Sequence, residues 1–570
     1  MISEVKEDKA RGIQIQLIDF LSKPIISKTW YFFIVLFFIS LVLLPTVFVL
    51  IYAILEFTII QSEVITNPSV QAEIFEALFY SVSVSIIITI VDLIFGFPIA
   101  WTLVRREFRY KSVLNSLIEL PLAVPTAGLG FSVALFWGVT PKVAEKPLFA
   151  LNLIQNALPI LILFHFTTTF PYVVRSLAAI LEEIDVTLEI AARTCGASKF
   201  TAARTVTLPL FRSGVATAMV LSLAKSLSDT GGVTTVLATI ESIKQTGTVL
   251  IGNWKHDYTD TLNAGEVPAS YLLPGMAFMS AIMILIALIL VFIAKLLARQ
   301  ARLPFRRVFP SFEWGISEGA APRTRHILSF GFLVLFVLIP SFFIVIYLFQ
   351  GISADKLLGA DWFLFTQSIF LSVIVASVAT IVNVCLGVPM AILITRKNHF
   401  TSRILDALVD IPYVVPSAAL GFSVGLFWTT QVIFPSNELF FVIMAHIGMT
   451  FPFIVRNTIG GLAELDLAYE DAAKSLGARP IQNFLHVTLP VVKFSIIAGA
   501  IMSFTRSIGE TGATLAVSPE SITAPVFIVE LIKGAEPNYF FAALTTIILI
   551  IISSLLIFFL RSRVIRRARK

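Results

Sequence analysis

Met279–Leu297 reads MSAIMILIALILVFIAKLL, with a single charge, Lys295, near its end. At 1.5 Å per residue a helix of ~20 apolar residues crosses the ~30 Å of hydrocarbon in a bilayer. Strands of a membrane barrel alternate apolar and polar positions, and this stretch does not alternate, so a helix is the spanning structure. Further apolar runs of similar length follow one another along the 570 residues. Hydrophobic residues make up 57% of the chain and charged ones 14%, against ~25% charged in a soluble domain. The expected spans are 30–54, 76–103, 114–139, 156–178, 211–238, 270–298, 327–350, 365–395, 405–429, 437–459, 491–517 and 538–561.

The net charge of +6 lies in alternate loops rather than on one face, so nucleic acid is not the partner it implies. Arg105, Arg106, Arg109 and Lys111 follow the second span; Arg193, Lys199, Arg204 and Arg212 the fourth; Arg299, Arg302, Arg306 and Arg307 the sixth. The second half repeats this with Arg396, Lys397 and Arg403, then Lys474, Arg479 and Lys493. The intervening loop Glu56–Glu73 has no Lys or Arg. Positive loops stay in the cytoplasm, which places both termini there. The first 29 residues lack the apolar core and cleavage site of a signal peptide, and Ile13–Leu21 reads as a short amphipathic surface helix. Cys195 and Cys385 are far apart, without metal-ligand spacing, and read as small core residues.

The chain repeats itself. His165 matches His446, Phe170-Pro171 matches Phe451-Pro452, and Arg175 matches Arg456, all 281 positions apart. Upstream the shift is 291, pairing Pro98 with Pro389, Arg105 with Arg396, and Gly130-Phe131-Ser132-Val133 with Gly421-Phe422-Ser423-Val424. One insertion near Lys142–Leu151 accounts for the change. Six spans per half, an even number, give both halves one orientation and a pseudo-two-fold axis along the membrane normal. The expected organisation is a cytoplasmic segment 1–29, a six-helix half 30–298, a basic linker 299–326, a second half 327–561 and a basic tail 562–570.

The closest internal match is a polar loop. EEIDVTLEIAARTCGASKFTAARTVTLP (182–209) returns as AELDLAYEDAAKSLGARPIQNFLHVTLP (463–490). Small alanines suit a helix that seats in a partner's groove, and Gly196 and Gly477 suit a helix C-terminus. Pro209 and Pro490 suit the first turn of the next span. An ordinary surface helix-turn-helix is the plainer reading.

The loop resembles the EAA…G…LP signature of permease subunits of ATP-binding-cassette importers, carried by Glu189, Ala191, Ala192, Gly196 and Pro209 and by Glu470, Ala472, Ala473, Gly477 and Pro490. The first copy departs with Ile190 before the alanines. The resemblance implies a fused, all-α type I importer permease of about twelve transmembrane helices in two parallel six-helix repeats. In that family the loop docks on the ATPase, so Glu189, Ala191, Ala192, Gly196, Glu470, Ala472, Ala473 and Gly477 become coupling residues by implication. No G-x-x-x-x-G-K-[ST] motif occurs, so ATP and Mg²⁺ would belong to a partner and this chain would hold no cofactor and no metal. Implied partners are two copies of the cytoplasmic ATPase, an extracytoplasmic solute-binding protein and the bilayer of the cell membrane.

Intramembrane polar groups are functional candidates because they are costly there. Lys225 and Asp229 in the fifth span, and Arg506 and Glu510 in the eleventh, stand four apart on one helix face each. They read as ion pairs that either stabilise packing or gate a pathway. Ser228, Thr230, Gly231, Gly509, Thr511 and Gly512 are candidate pathway residues beside them. Pro121 with Pro125-Thr126, and Pro412 with Pro416-Ser417, interrupt the third and ninth spans, as a kink or as pathway lining. His165 and His446 read as interhelical hydrogen-bonders.

Arg506, Gly509, Glu510, Gly512 and Ala513 also resemble the R-x-x-G-E-x-G-A segment of sulfate and molybdate permeases, while fusion of two halves is similar to the ferric-iron, thiamine or aminophosphonate branch. Both resemblances stand. The rival classes are an ion-gradient transporter, which predicts unpaired intramembrane carboxylates, and a membrane-embedded enzyme, for which no catalytic motif is present.

Overall fold

A computed structural model describes residues 24–109, 111–140, 143, 147–300, 309–317, 320–350, 361–396, 400–431, 437–534 and 536–568. The expected surface helix Ile13–Leu21 lies outside them, as do parts of the insertion and of the linker.

Every long element is a helix. In the first half, α1 (Lys28–Leu55) precedes α2 (Pro68–Arg105), the short α3 (Lys111–Glu119) and α4 (Thr126–Trp137). Then come α5 (Ala157–Glu183), α6 (Val186–Thr194), α7 (Arg212–Ser228), α8 (Gly231–Thr239), α9 (Gly247–Asn263) and α10 (Leu272–Gln300). The linker carries α11 (Pro310–Ser317). The second half repeats the order as α12 (Ile327–Gln350), α13 (Trp362–Arg396), α14 (Phe400–Val409), α15 (Ser417–Gln431) and α16 (Glu438–Glu464). It closes with α17 (Leu467–Ser475), α18 (Leu489–Ile508), α19 (Gly512–Val517), α20 (Ala524–Lys533) and α21 (Tyr539–Ala568).

Among the described residues nine helices are long and apolar enough to cross a membrane, or twelve if each bent pair counts as one span. Two expected spans bend sharply at their prolines. The third bends by 104° between Val113–Leu122 and Thr126–Trp137, and the ninth by 108° between Phe400–Val414 and Ser417–Thr430. The cause is local: Pro125 and Pro416 have no N–H to give, and each forces the residue before it out of the helical region. Val124 and Val415 accordingly take extended backbone angles. Each bend is held by an ion pair from the next span: Arg175 with Glu119, and Arg456 Nε with Asp410 Oδ1 at 2.7 Å.

Neither half is closed upon itself. The first span packs on the second half: Val49 shares a buried cluster with Ala418, Leu420 and Phe422, and Phe38 stacks on Phe451 at 5.3 Å. In return α12 packs on α4, where Phe136 meets Phe343 edge-on at 5.0 Å. One contact breaks a helix ladder. Ser132 Oγ donates to Pro340 O (2.6 Å) and accepts from Ile344 N (2.9 Å), inserting itself where those two groups would bond each other. The short α20 likewise joins a cluster that includes Phe131 and Trp137 of α4.

Both cysteines are exposed, not packed in a core. Cys195 caps the end of α6 on the loop surface, and Cys385 lies on the outer face of α13.

Candidate functional site: a central crossing and two repeated loops

The fifth and eleventh spans both break at their acidic residue. Helix α7 stops at Ser228, Asp229 is extended, and α8 restarts at Gly231; α18 stops at Ile508 and α19 restarts at Gly512. Each carboxylate bridges its own break. Asp229 Oδ2 accepts from Lys225 Nζ at 2.9 Å and its Oδ1 accepts from Gly232 N at 3.2 Å. Glu510 is paired with Arg506 and accepts from Ala513 N at 3.0 Å. Asp229 is 3% exposed and Glu510 2%. A charge so deep survives because a cation and a helix N-terminus both face it. The ion pairs expected from the four-residue spacing are therefore present, and each carboxylate also acts as a cap.

The two breaks cross. A Cβ on Gly231 would fall under 3.0 Å from Thr511, and one on Gly512 under 3.0 Å from Thr230 and Ser417. Ser417 Oγ donates to Ser228 O (2.7 Å), and Ser417 N donates to Ser228 Oγ (3.1 Å). Gly509 backs onto Pro125. The structure thus brings Pro125, Ser228, Thr230, Gly231, Ser417, Gly509, Thr511 and Gly512 into one interface between the halves. Thr126 flanks it, its carbonyl close to Gly232. Pro416 begins the turn that presents Ser417. The Thr230 and Thr511 hydroxyls are buried in this contact without a hydrogen-bond partner.

The flanks hold polar groups that sequence reasoning missed. Asp92, in α2, is fully buried; its Oδ2 accepts from Thr169 Oγ1 (2.6 Å) and Ser222 Oγ (2.7 Å), and its Oδ1 has no partner. The 291 shift pairs it with Asn383, whose Nδ2 donates to Thr450 Oγ1 at 2.7 Å. A lone Asp inside an apolar run was the signal. His446 joins Ser507 Oγ (2.8 Å) and Thr514 Oγ1 (3.0 Å) across helices, as expected of it, whereas His165 Nδ1 has no partner.

On the opposite ends of α7 and α18 lie the two repeated loops. Asp185 caps α6, accepting from Thr187 N at 2.9 Å, and Asp466 caps α17, accepting from Ala468 N at 2.9 Å. The backbone N–H of Thr187, with its side chain, holds the Asp185 carboxyl below the usual carboxylate range. Both helices end on a left-handed glycine, Gly196 at φ +91° and Gly477 at φ +84°. The next N–H, of Ala197 or Ala478, donates back to Ala192 O or Ala473 O, closing the helix. Val186, Leu188 and Ile190 stay exposed on α6, and Leu467 and Tyr469 on α17, with Ala191 and Ala472 among them.

Glu189 and Glu470 do not belong to that exposed face. Glu189 Oε1 accepts from Arg105 Nε (3.0 Å) and Thr207 Oγ1 (2.8 Å); Glu470 Oε1 accepts from Arg396 Nη2 (2.9 Å) and Thr488 Oγ1 (3.2 Å). The two glutamates point inward because an arginine at the end of α2 or α13 awaits each one. They tie the loop to its own half, and the surface left exposed mixes the apolar Val186, Leu188, Ile190, Leu467 and Tyr469 with charged neighbours such as Arg193, Asp471 and Lys474.

Residues 92–303 and 383–570 each match the family described as binding-protein-dependent transport system inner membrane component. The chain belongs to that family. Its two matched segments are the two halves of one bundle, so this inner membrane component carries both in a single multi-pass polypeptide. The chain is 32% identical over 199 residues to the molybdate/tungstate transport system permease protein WtpB of Pyrococcus furiosus, covering 35% of this chain and 78% of that one. It is 36% identical over 157 residues to the sulfate transport system permease protein CysT of Salmonella typhimurium, covering 26% and 57%. It is 35% identical over 164 residues to a probable molybdenum ABC transporter permease protein of Haloferax volcanii, covering 28% and 61%.

Proposed function

We propose that this inner membrane component is the permease of an ATP-driven importer for a small tetrahedral oxyanion of the sulfate or molybdate class. The observation that carries the mechanism is the run of helix in each half from an exposed loop to the central break. Residues 199–228 connect the α6 handle to Asp229, and residues 480–508 connect the α17 handle to Glu510. A partner that moves the handles would move the crossed Thr-Gly breaks apart. Two copies of a cytoplasmic ATPase, which bind ATP and Mg²⁺, grip the loops; a solute-binding protein delivers the anion from outside; both termini face the cytoplasm. This chain makes and breaks no covalent bond and holds no cofactor.

Lys225 and Arg506 favour an anion as cargo, since each could exchange its carboxylate for a passing oxyanion. The names of the relatives favour the same class over ferric iron, thiamine or aminophosphonate. Asp92, a buried carboxylate with no cation beside it, is the observation on the side of an ion-gradient transporter. Uptake of radiolabelled sulfate and molybdate into liposomes separates the readings. The importer reading expects uptake only with ATP, the ATPase and the binding protein present. Uptake by the chain alone down an imposed ion gradient would overturn it.

A further inference from the structure

Among the described residues, the linker between the halves is docked on the first loop. Helix α11 lies against the limb that follows α6. Glu313, 2% exposed, accepts from Arg204 Nη2 at 2.7 Å, from Phe309 N at 3.2 Å and from the Thr201 hydroxyl. Ser317 Oγ accepts from Phe200 N at 3.0 Å and lies 3.2 Å from Ser198 Oγ. Burial opposes the Glu313 charge, yet these donors and Arg204 hold its carboxyl below the usual range. The second loop has no receptor for such a helix. The positions matching Ser198, Thr201 and Arg204 are Arg479, Gln482 and Leu485, and Leu485 is exposed.

An independent difference between the halves goes with the docking. In the first half the limb Lys199–Leu210 meets Gly214–Ser228 at 70°; in the second, Pro480–Ile508 runs as one span. The bent limb is the strapped one.

We propose that Glu313 is a positioning residue for coupling: through Arg204 and Thr201 the linker holds the first handle at a fixed angle to the helix that leads to the gate, while among the described residues the second handle is held by its own half. The two handles of this fused chain are therefore unequal, one strapped by the linker and the other without that strap. The inference rests on the importer reading for its consequence, though not for the strap itself.

Hydrogen exchange of the full chain in lipid nanodiscs tests the strap without any ATPase. Residues 198–207 should exchange more slowly than residues 479–488, and Glu313→Ala should speed the first segment by about tenfold and leave the second unchanged. No change in the first segment would overturn the proposal. The coupling ratio, solute imported per ATP hydrolysed, is then measured with the ATPase that co-purifies with the chain. Glu313→Ala should lower it by about threefold or more, since a buried charge network is lost while the exposed docking face remains. In a background of Cys195→Ala and Cys385→Ala, adding Ser198→Cys and Ser317→Cys to Glu313→Ala should restore the ratio on oxidation. An unchanged ratio in Glu313→Ala, or no rescue by the disulfide, would overturn the positioning role. If no ATPase co-purifies with the wild-type chain, the importer reading itself fails and the coupling role goes with it; exchange on the chain alone tells that failure from a missing strap.

Discussion

Gly231 and Gly512 each lie where a single methyl has no room, and each faces a threonine of the opposite half. Gly231→Ala should therefore push the two breaks apart, destabilising the closed contact by about 1–3 kcal/mol, the usual range for overpacking. The expected readout is leak of radiolabelled solute from proteoliposomes without ATP. Thr511→Gly should suppress the leak, because it removes the atoms the new methyl meets; Thr511→Ser should not, because the Thr511 Cβ is itself too close. The sequence repeat marked Thr230-Gly231 and Thr511-Gly512 as equivalent. It did not say that each fits into the other, because self-similarity carries no distance. The same holds for Ser132, whose role depends on a proline about two hundred residues away. Asp185 allows a pH test. Its folded carboxyl is depressed by the Thr187 N–H, so the cap is intact at neutral pH and lost as pH falls through the folded value. Hydrogen exchange of 186–194, corrected for the intrinsic rate, should show α6 fraying in acid, and Asp185→Asn should flatten that dependence.

At the scale of the helix, each handle was legible from two alanines and a helix-ending glycine at fixed spacing, whereas the aspartate caps emerged only with the structure. What the spacing hid was the direction of the glutamate. Position within a short helix gives its face only once the neighbouring elements are known, and Arg105 and Arg396 come from helices far away in sequence. Arg396→Ala should leave the buried Glu470 without its cation and loosen α17 from α13. A double-mutant cycle with Glu470→Gln, read as thermal stability in detergent, should give a coupling of about 1–3 kcal/mol. Asp466→Ala should remove the cap of the same helix at a cost of about 1 kcal/mol, additive with neither partner of that pair. The broken third and ninth spans were half legible. Two prolines announced a discontinuity, yet a bend beyond 100° also needs Arg175 and Arg456 to fasten the far end.

At the scale of the molecule, the repeat and the alternation of charged loops revealed two parallel six-span halves before any coordinate was known. They did not reveal the exchange of first spans, because an apolar helix reads the same whichever half it packs on. That exchange predicts how a divided chain behaves. Residues 1–305 and 306–570, expressed together as separate polypeptides, should co-purify as one complex. Each expressed alone should be unstable, because α1 and α12 then lose the surfaces they cover. Recovery of either piece as a stable, monodisperse particle in detergent would contradict the interlock.

The interlock also bears on birth. While a ribosome is still making the first half, Phe38 has no Phe451 to stack on and Val49 lacks part of its bed, since Phe451 and Phe422 emerge hundreds of residues later. The opening helix must wait in lipid, inserted and only partly packed through Val49 against α10, until translation nears its end. Quality-control proteases of the membrane could remove truncated products during that wait, so an early stop should yield little half-protein to jam the partners of the intact transporter.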